Sequence, residues 1–164
     1  NWRKFEKSLA IIEILVGLSL IILLIYGWSS IFSYMIENGQ TTWSKISILK
    51  LIRNAHFIFL SGAMGLVSGI LLLKEKKLGW ILSTSSWIVY CLVTSLIFWK
   101  LEKADGPFNT QNYVLSGLLI LIFLIMAGVL TLKPFRLKYK PDSKSWISIA
   151  VITLVFLIDK LLIK

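Results

Sequence analysis

Acidic, sulfur-bearing and imidazole side chains are scarce in this chain. Its 164 residues hold 8 Asp and Glu against 18 Lys and Arg, with one His, one Cys and 3 Pro. The single thiol, Cys91, excludes a disulfide within the chain and leaves no basis for a cysteine metal site. One imidazole and a few scattered carboxylates exclude the HExxH metal helix. GxSxG nucleophile turns, phosphate loops and paired carboxylates within one apolar run are also missing. Nothing catalytic is therefore expected, and no cofactor or metal. Charge is also sparse. Charged residues make up 16% of the chain, where soluble domains carry about a quarter.

What replaces them is apolar. Hydrophobic residues make up 57% of the chain, the mean hydropathy is +0.80, and the apolar residues come in long blocks. A bilayer, whose hydrocarbon core takes about 20 residues of helix to cross, is the solvent that suits such blocks. Five blocks qualify: Leu9–Ile36, Ile52–Leu73, Leu78–Trp99, Tyr113–Leu132 and Trp146–Leu162. The expected fold is a single all-α polytopic membrane domain of five transmembrane helices over residues 1–164. The fifth is the shortest and carries Asp159 near its end. The first is overlong, which predicts tilt. It also exceeds the apolar core of a signal peptide, and "SYMIENGQ" offers no small-x-small cleavage site, so it is expected to remain as a span. Between the first two spans, Trp43, Ile46, Leu49 and Ile52 recur at helical spacing among Ser44, Lys45, Ser47 and Lys50. This predicts a short interfacial amphipathic helix over residues 43–51.

The loops set orientation. With the N-terminus inside, eleven basic residues fall on the inner side and seven on the outer, the bias expected for a cytoplasmic N-terminus in a bacterial inner membrane. Trp2, Trp80 and Trp146 then mark inner ends and Trp28, Trp43 and Trp99 outer ones, as an aromatic belt requires; Trp87 lands near the midplane. The net charge of +10 is accounted for by this topology and not by nucleic acid. The basic stretch Lys133–Lys144, with Phe135 and Tyr139, suits contact with anionic lipid.

Small and polar residues inside the spans are the functional candidates. Ser61, Gly65 and Gly69, with Gly62 beside them, follow the small-xxx-small spacing that lets membrane helices approach closely. Gly117 and Gly128 share a face of the fourth span. These six define an expected packing interface, either within the chain or with a partner. Glu13 lies one turn into the first span, where the inner basic loops, through Lys74 or Lys133, are its expected partners. His56 enters the second span from the outer side, and Asp159, at the outer end of the fifth, could share its depth. Ser83, Ser86, Tyr90 and Thr94 form a hydroxyl stripe on the third span, suited to interhelical hydrogen bonds or to lining a polar path. Finally, "SGILLLKEKKL" (Ser68–Leu78) and "AGVLTLKPFRL" (Ala127–Leu137) align without gaps, as a duplicated hairpin or as chance between apolar ends that precede lysine.

Two functions fit these features. The first is a non-enzymatic small integral membrane protein acting by helix–helix assembly, with itself or as a subunit of a larger membrane complex. The second is a small channel or transporter whose pathway is lined by the third-span hydroxyls, with Glu13 and His56 along it.

Overall fold

The three prolines stand at 107, 134 and 141, so no long apolar run contains a residue that interrupts backbone hydrogen bonding. The chain answers with helices. The computed structural model describes residues 2–39, 42, 48–105 and 110–162, and every regular element among them is helical. In order they are α1 (Trp2–Glu37), α2 (Ile48–Leu73), α3 (Lys77–Asp105), α4 (Thr110–Leu130), α5 (Lys133–Tyr139) and α6 (Ser143–Leu162). Among the described residues, four segments are long and apolar enough to cross a membrane: Trp2–Glu37, Ala55–Leu73, Lys77–Leu96 and Tyr113–Leu130. The fifth expected span takes a different form. Helix α6 is joined to α5 at a bend of 109°, and only this bent pair, counted as one broken span, brings the number to five.

The surface has the polarity of a protein dissolved in lipid. Leu15, Ile22, Leu23 and Ile25 on α1, Val114, Leu118 and Leu121 on α4, and Val151, Leu154 and Val155 on α6 are all exposed. In water such continuous apolar faces would be an aggregation liability; in hydrocarbon they are what a span must present. The interior is correspondingly polar: Glu6, Glu13, Ser61, Ser68, Ser83, Thr84, Ser85 and Ser86 are buried.

Helix α1 packs along α2, α2 packs on α3, and α3 also carries α4 and α6. The small face of α2 is therefore not free. A Cβ on Gly69 would lie 2.6 Å from Ile14 Cγ1 and 2.8 Å from the Ala10 carbonyl oxygen. One on Gly62 would lie 2.8 Å from Ile21, and one on Gly17 would lie 2.7 Å from the Gly62 carbonyl. Glycines on both helices bring the α1 and α2 backbones together, the small-residue packing that replaces hydrophobic driving force in lipid.

At the end of the bundle where α1 begins, here called the basal end, α2 and α3 are joined by a tight turn. Glu75 takes the left-handed conformation (φ 55°), and the Lys74 and Lys76 amides donate to the Ile70 and Leu71 carbonyls. The corresponding junction after α4 has no such turn. Pro134 lies in the first turn of the separate helix α5, which is capped by Lys140, itself left-handed with φ 43°. The two aligned stretches thus diverge where the lysines begin.

Helix α2 already includes Ile48 to Leu51, and Trp43–Ser47, the rest of the expected interfacial helix, lie outside the described residues. One expectation is corrected here. Trp80 is fully buried and is not a belt residue. Its ring stacks on Tyr139 and meets Trp146 edge-on, and its indole N–H donates to the Leu130 carbonyl at 2.7 Å. That bond satisfies one of the carbonyls a helix C-terminus leaves without an intrahelical partner.

Candidate functional site

Buried hydroxyls on membrane helices usually bond back to the carbonyl four residues earlier. Ser61, Thr84, Ser85 and Ser95 do so, donating to Phe57, Trp80, Ile81 and Cys91. Ser68 and Ser83 break the pattern, and both turn toward Glu13. The Glu13 carboxyl, with no exposed surface, receives Ser68 Oγ on Oε1 at 2.5 Å and Ser83 Oγ on Oε2. Ser68 also reaches the Gly65 carbonyl at 3.0 Å and Ser86 Oγ at 3.3 Å. One side chain from α1, one from α2 and two from α3 thus form a single oxygen-only cluster in the bundle interior.

Glu13 is on this face because of helical spacing. Glu6, Leu9, Ala10, Glu13 and Gly17 are the buried residues of α1, recurring every three or four positions as one stripe. Gly17 lets α1 close on α2, and that closeness brings the carboxyl one turn earlier within reach of Ser68. The expected partners of Glu13, Lys74 and Lys133, are not its partners. No ion pair involves Glu13 among the described residues; their ion pairs join other groups.

Beside the cluster, the Tyr90 hydroxyl is buried without a hydrogen-bond partner, as is the Trp87 indole N–H. Tyr90 points at the backbone of α2, where a Cβ on Gly65 would stand 1.7 Å from its oxygen. The rings of Trp87, Tyr90 and Phe123 pack together with centroids 5.6 to 5.8 Å apart and close the cluster on the α4 side. Of the expected hydroxyl stripe, Ser83, Ser86 and Tyr90 are gathered here; Thr94 is only partly buried and does not join them.

The remaining candidates lie elsewhere. His56 Nε2 and Asp159 Oδ2 are 2.7 Å apart and link α2 to α6, both about a quarter exposed. Gly117 and Gly128 have nothing within 4 Å of an added Cβ. Gly128 instead lines an apolar cleft of about 640 Å³ between α4 and α6, floored by Thr84 and Ile88 of α3.

At the basal end an ion-pair network ties α1, the α2–α3 turn, α5 and the start of α6. Lys138 Nζ lies 2.6 Å from Glu6 and 3.3 Å from Glu75, Arg3 pairs with Glu75 at 3.1 Å, and Lys77 pairs with Asp142 at 2.9 Å. The Tyr139 hydroxyl donates to the other Glu6 oxygen. Burial first, and then the Glu6 carboxylate, push the Tyr139 phenol well above its ordinary range. Hydrogen bonds from Ser145 and Lys77 hold Asp142 far below the usual carboxylate range, and Lys138 lowers Glu75. Glu6, Ser68 and Gly17 were not singled out from the sequence. The signal was there: Glu6 precedes Glu13 by two turns, and Gly17 follows it by one.

Compared with family models, curated proteins and solved structures, the chain matches none of them. The function therefore has to be read from the site.

Proposed function

We propose that this chain is a small, non-enzymatic helical membrane protein that moves protons across the bilayer by exchange at Glu13. The carrying observation is that this carboxyl is wholly buried, bonded by hydroxyls from two other helices, and without an ion-pair partner among the described residues. An unpaired carboxylate in a low-dielectric interior is costly, so such a group is retained in a membrane helix when it has a task. A proton neutralises it, and Ser68, Ser83 and Ser86 can accept or donate as the proton arrives and leaves. The cluster sits where α1, α2 and α3 converge, so any change in how α1 lies on α2 alters access to it.

The test is proton flux in vesicles under an imposed pH gradient, read with an entrapped pH-sensitive dye. The parent should exceed protein-free vesicles, Glu13→Gln should fall to their level, and Glu13→Asp should retain part of the flux. A parent no faster than empty vesicles, or a Glu13→Gln variant as fast as the parent, would sink the proposal.

One observation favours assembly as a second reading. With the α2 glycine face filled by α1, the cleft between α4 and α6 is a surface with small residues still open to a partner helix. There Gly128, Ala127 and Ala150 leave room for the close approach that membrane helices use.

A further inference from the structure

Helix α5 divides its charges between two faces. Phe135 and Tyr139 are buried, and Lys138, on the same side, is committed to Glu6 and Glu75. On the opposite side, Lys133, Arg136 and Lys140 are exposed, fall three and four residues apart, and make no ion pair among the described residues. With Leu137 and Pro141 they line a shallow depression of about 530 Å³ that contains no acidic side chain. The acids at this end are already engaged: Glu6 with Lys138 and Tyr139, Glu75 with Arg3 and Lys138, and Asp142 with Lys77 and Ser145.

The mounting of this face is stiff. Pro134 fixes the first turn of α5, and the Lys140 amide closes the last onto the Arg136 carbonyl in a left-handed cap. The bend of 109° turns α5 away from the line of α6, and the Trp80 ring, which meets both Tyr139 and Trp146, holds the two helices at that angle. Leu137, 65% exposed, projects from the same side as the cations. An apolar residue among three exposed cations that pair with no described acid is the pattern that engages anionic lipid.

We propose that the outer face of α5 is a binding site for the headgroup of an anionic phospholipid in the leaflet at the basal end. The phosphate would be held by Lys133, Arg136 and Lys140, with Leu137 against the acyl region. Arg136 supplies a planar fork suited to two phosphate oxygens, and the lysines supply flanking point charges. The site does not depend on Glu13 and stands whether or not that carboxyl moves protons.

The experiment is native mass spectrometry of the purified full chain in detergent, titrated with phosphatidylglycerol or phosphatidylcholine. The parent should retain one phosphatidylglycerol in preference to phosphatidylcholine. Each basic residue near an anionic surface is worth about fivefold in affinity, so Lys133→Gln/Arg136→Gln/Lys140→Gln should bind phosphatidylglycerol on the order of a hundredfold more weakly. The charge-conserving set Lys133→Arg/Arg136→Lys/Lys140→Arg should keep the preference. Removing the same charge from elsewhere at this end, by Lys4→Gln/Lys7→Gln/Lys76→Gln, should change it little. Equal loss in both glutamine sets would show only a diffuse basic field, and no loss in either would show no site; each overturns the proposal. Displacement of the lipid by soluble glycerol phosphate would assign the depression to a free phosphate compound and overturn the lipid assignment.

Discussion

Gly65 and Tyr90 offer a sharp test of the interior. A Cβ on Gly65 would stand 1.7 Å from the Tyr90 oxygen, 3.0 Å from Cζ and 3.5 Å from the Gly17 Cα. Gly65→Ala therefore forces the phenol out of place, and overpacking of this kind costs about 1–3 kcal/mol. Alanine's higher helix propensity offsets up to about 1 kcal/mol of that, so a net loss of about 1–2 kcal/mol is expected. Tyr90→Phe removes a buried hydroxyl that has no hydrogen-bond partner, a change that should be neutral or mildly stabilising. In that background the nearest atom to the new Cβ is the former Cζ at 3.0 Å, a gap that a small ring shift opens. Gly65→Ala should then cost less than about 1 kcal/mol, giving a coupling of roughly 1–2 kcal/mol between the two sites. Reversible unfolding of all four proteins by dodecyl sulfate titration in mixed micelles measures it. Additivity within about 0.5 kcal/mol would refute the close approach of α3 to α2. A Tyr90→Phe variant destabilised by more than about 1 kcal/mol would show that the hydroxyl is engaged after all, as a member of the Glu13 cluster.

Two other outcomes are expected. The Tyr139 phenol is held above its ordinary value by burial and by Glu6. Its contribution to stability is therefore complete below about pH 10, the unfolded value, and is lost as the pH rises past it. Melting temperature should fall as the pH rises from about 10 upward on this account, with a change in Trp80 fluorescence, and Tyr139→Phe should flatten the fall; an unchanged profile in that variant would exclude the linkage. If the α4–α6 cleft seats a partner helix, Gly128→Leu should raise subunit dissociation by about tenfold or more in native electrophoresis or mass spectrometry, whereas Gly117→Leu should act on that equilibrium far less.

The all-helical architecture with span-length apolar helices was legible because composition and run length suffice for it: a bilayer needs about 20 apolar residues per crossing, and four described helices are long and apolar enough. The basal turn and the break before α6 were less so. Helix α5 is seven residues long, too short for periodicity to show, and it is held by partners distant in sequence, Glu6 and Glu75. The glycine spacing on α2 was visible, but spacing alone does not say which helix fills the face; Gly17 on α1 supplies the answer only once the two backbones are placed together. Likewise Glu13 stood out as an ionisable group in an apolar run. Its partners did not, because serine is common on membrane helices and most of those here bond their own backbone. The basic loops looked like natural partners for a carboxyl near the membrane edge, yet the loop lysine that finds a glutamate, Lys138, takes Glu6 instead.

The position of α3 at the centre has a consequence for how the chain enters a membrane. It is the least apolar of the four span-length helices and the most enclosed, and it carries Ser83, Thr84, Ser85 and Ser86 in succession. Thr84 and Ser85 bond their own backbone, but Ser83 and Ser86 find their partners only on α1 and α2, so hydrocarbon alone would leave those two hydroxyls unsatisfied. Its enclosure comes from company: the tight turn at Glu75 joins it to α2 as a hairpin, and α4 and α6 pack on it as well. In a bilayer such a helix would be held by its neighbours, so that for α3 insertion and folding would be one event.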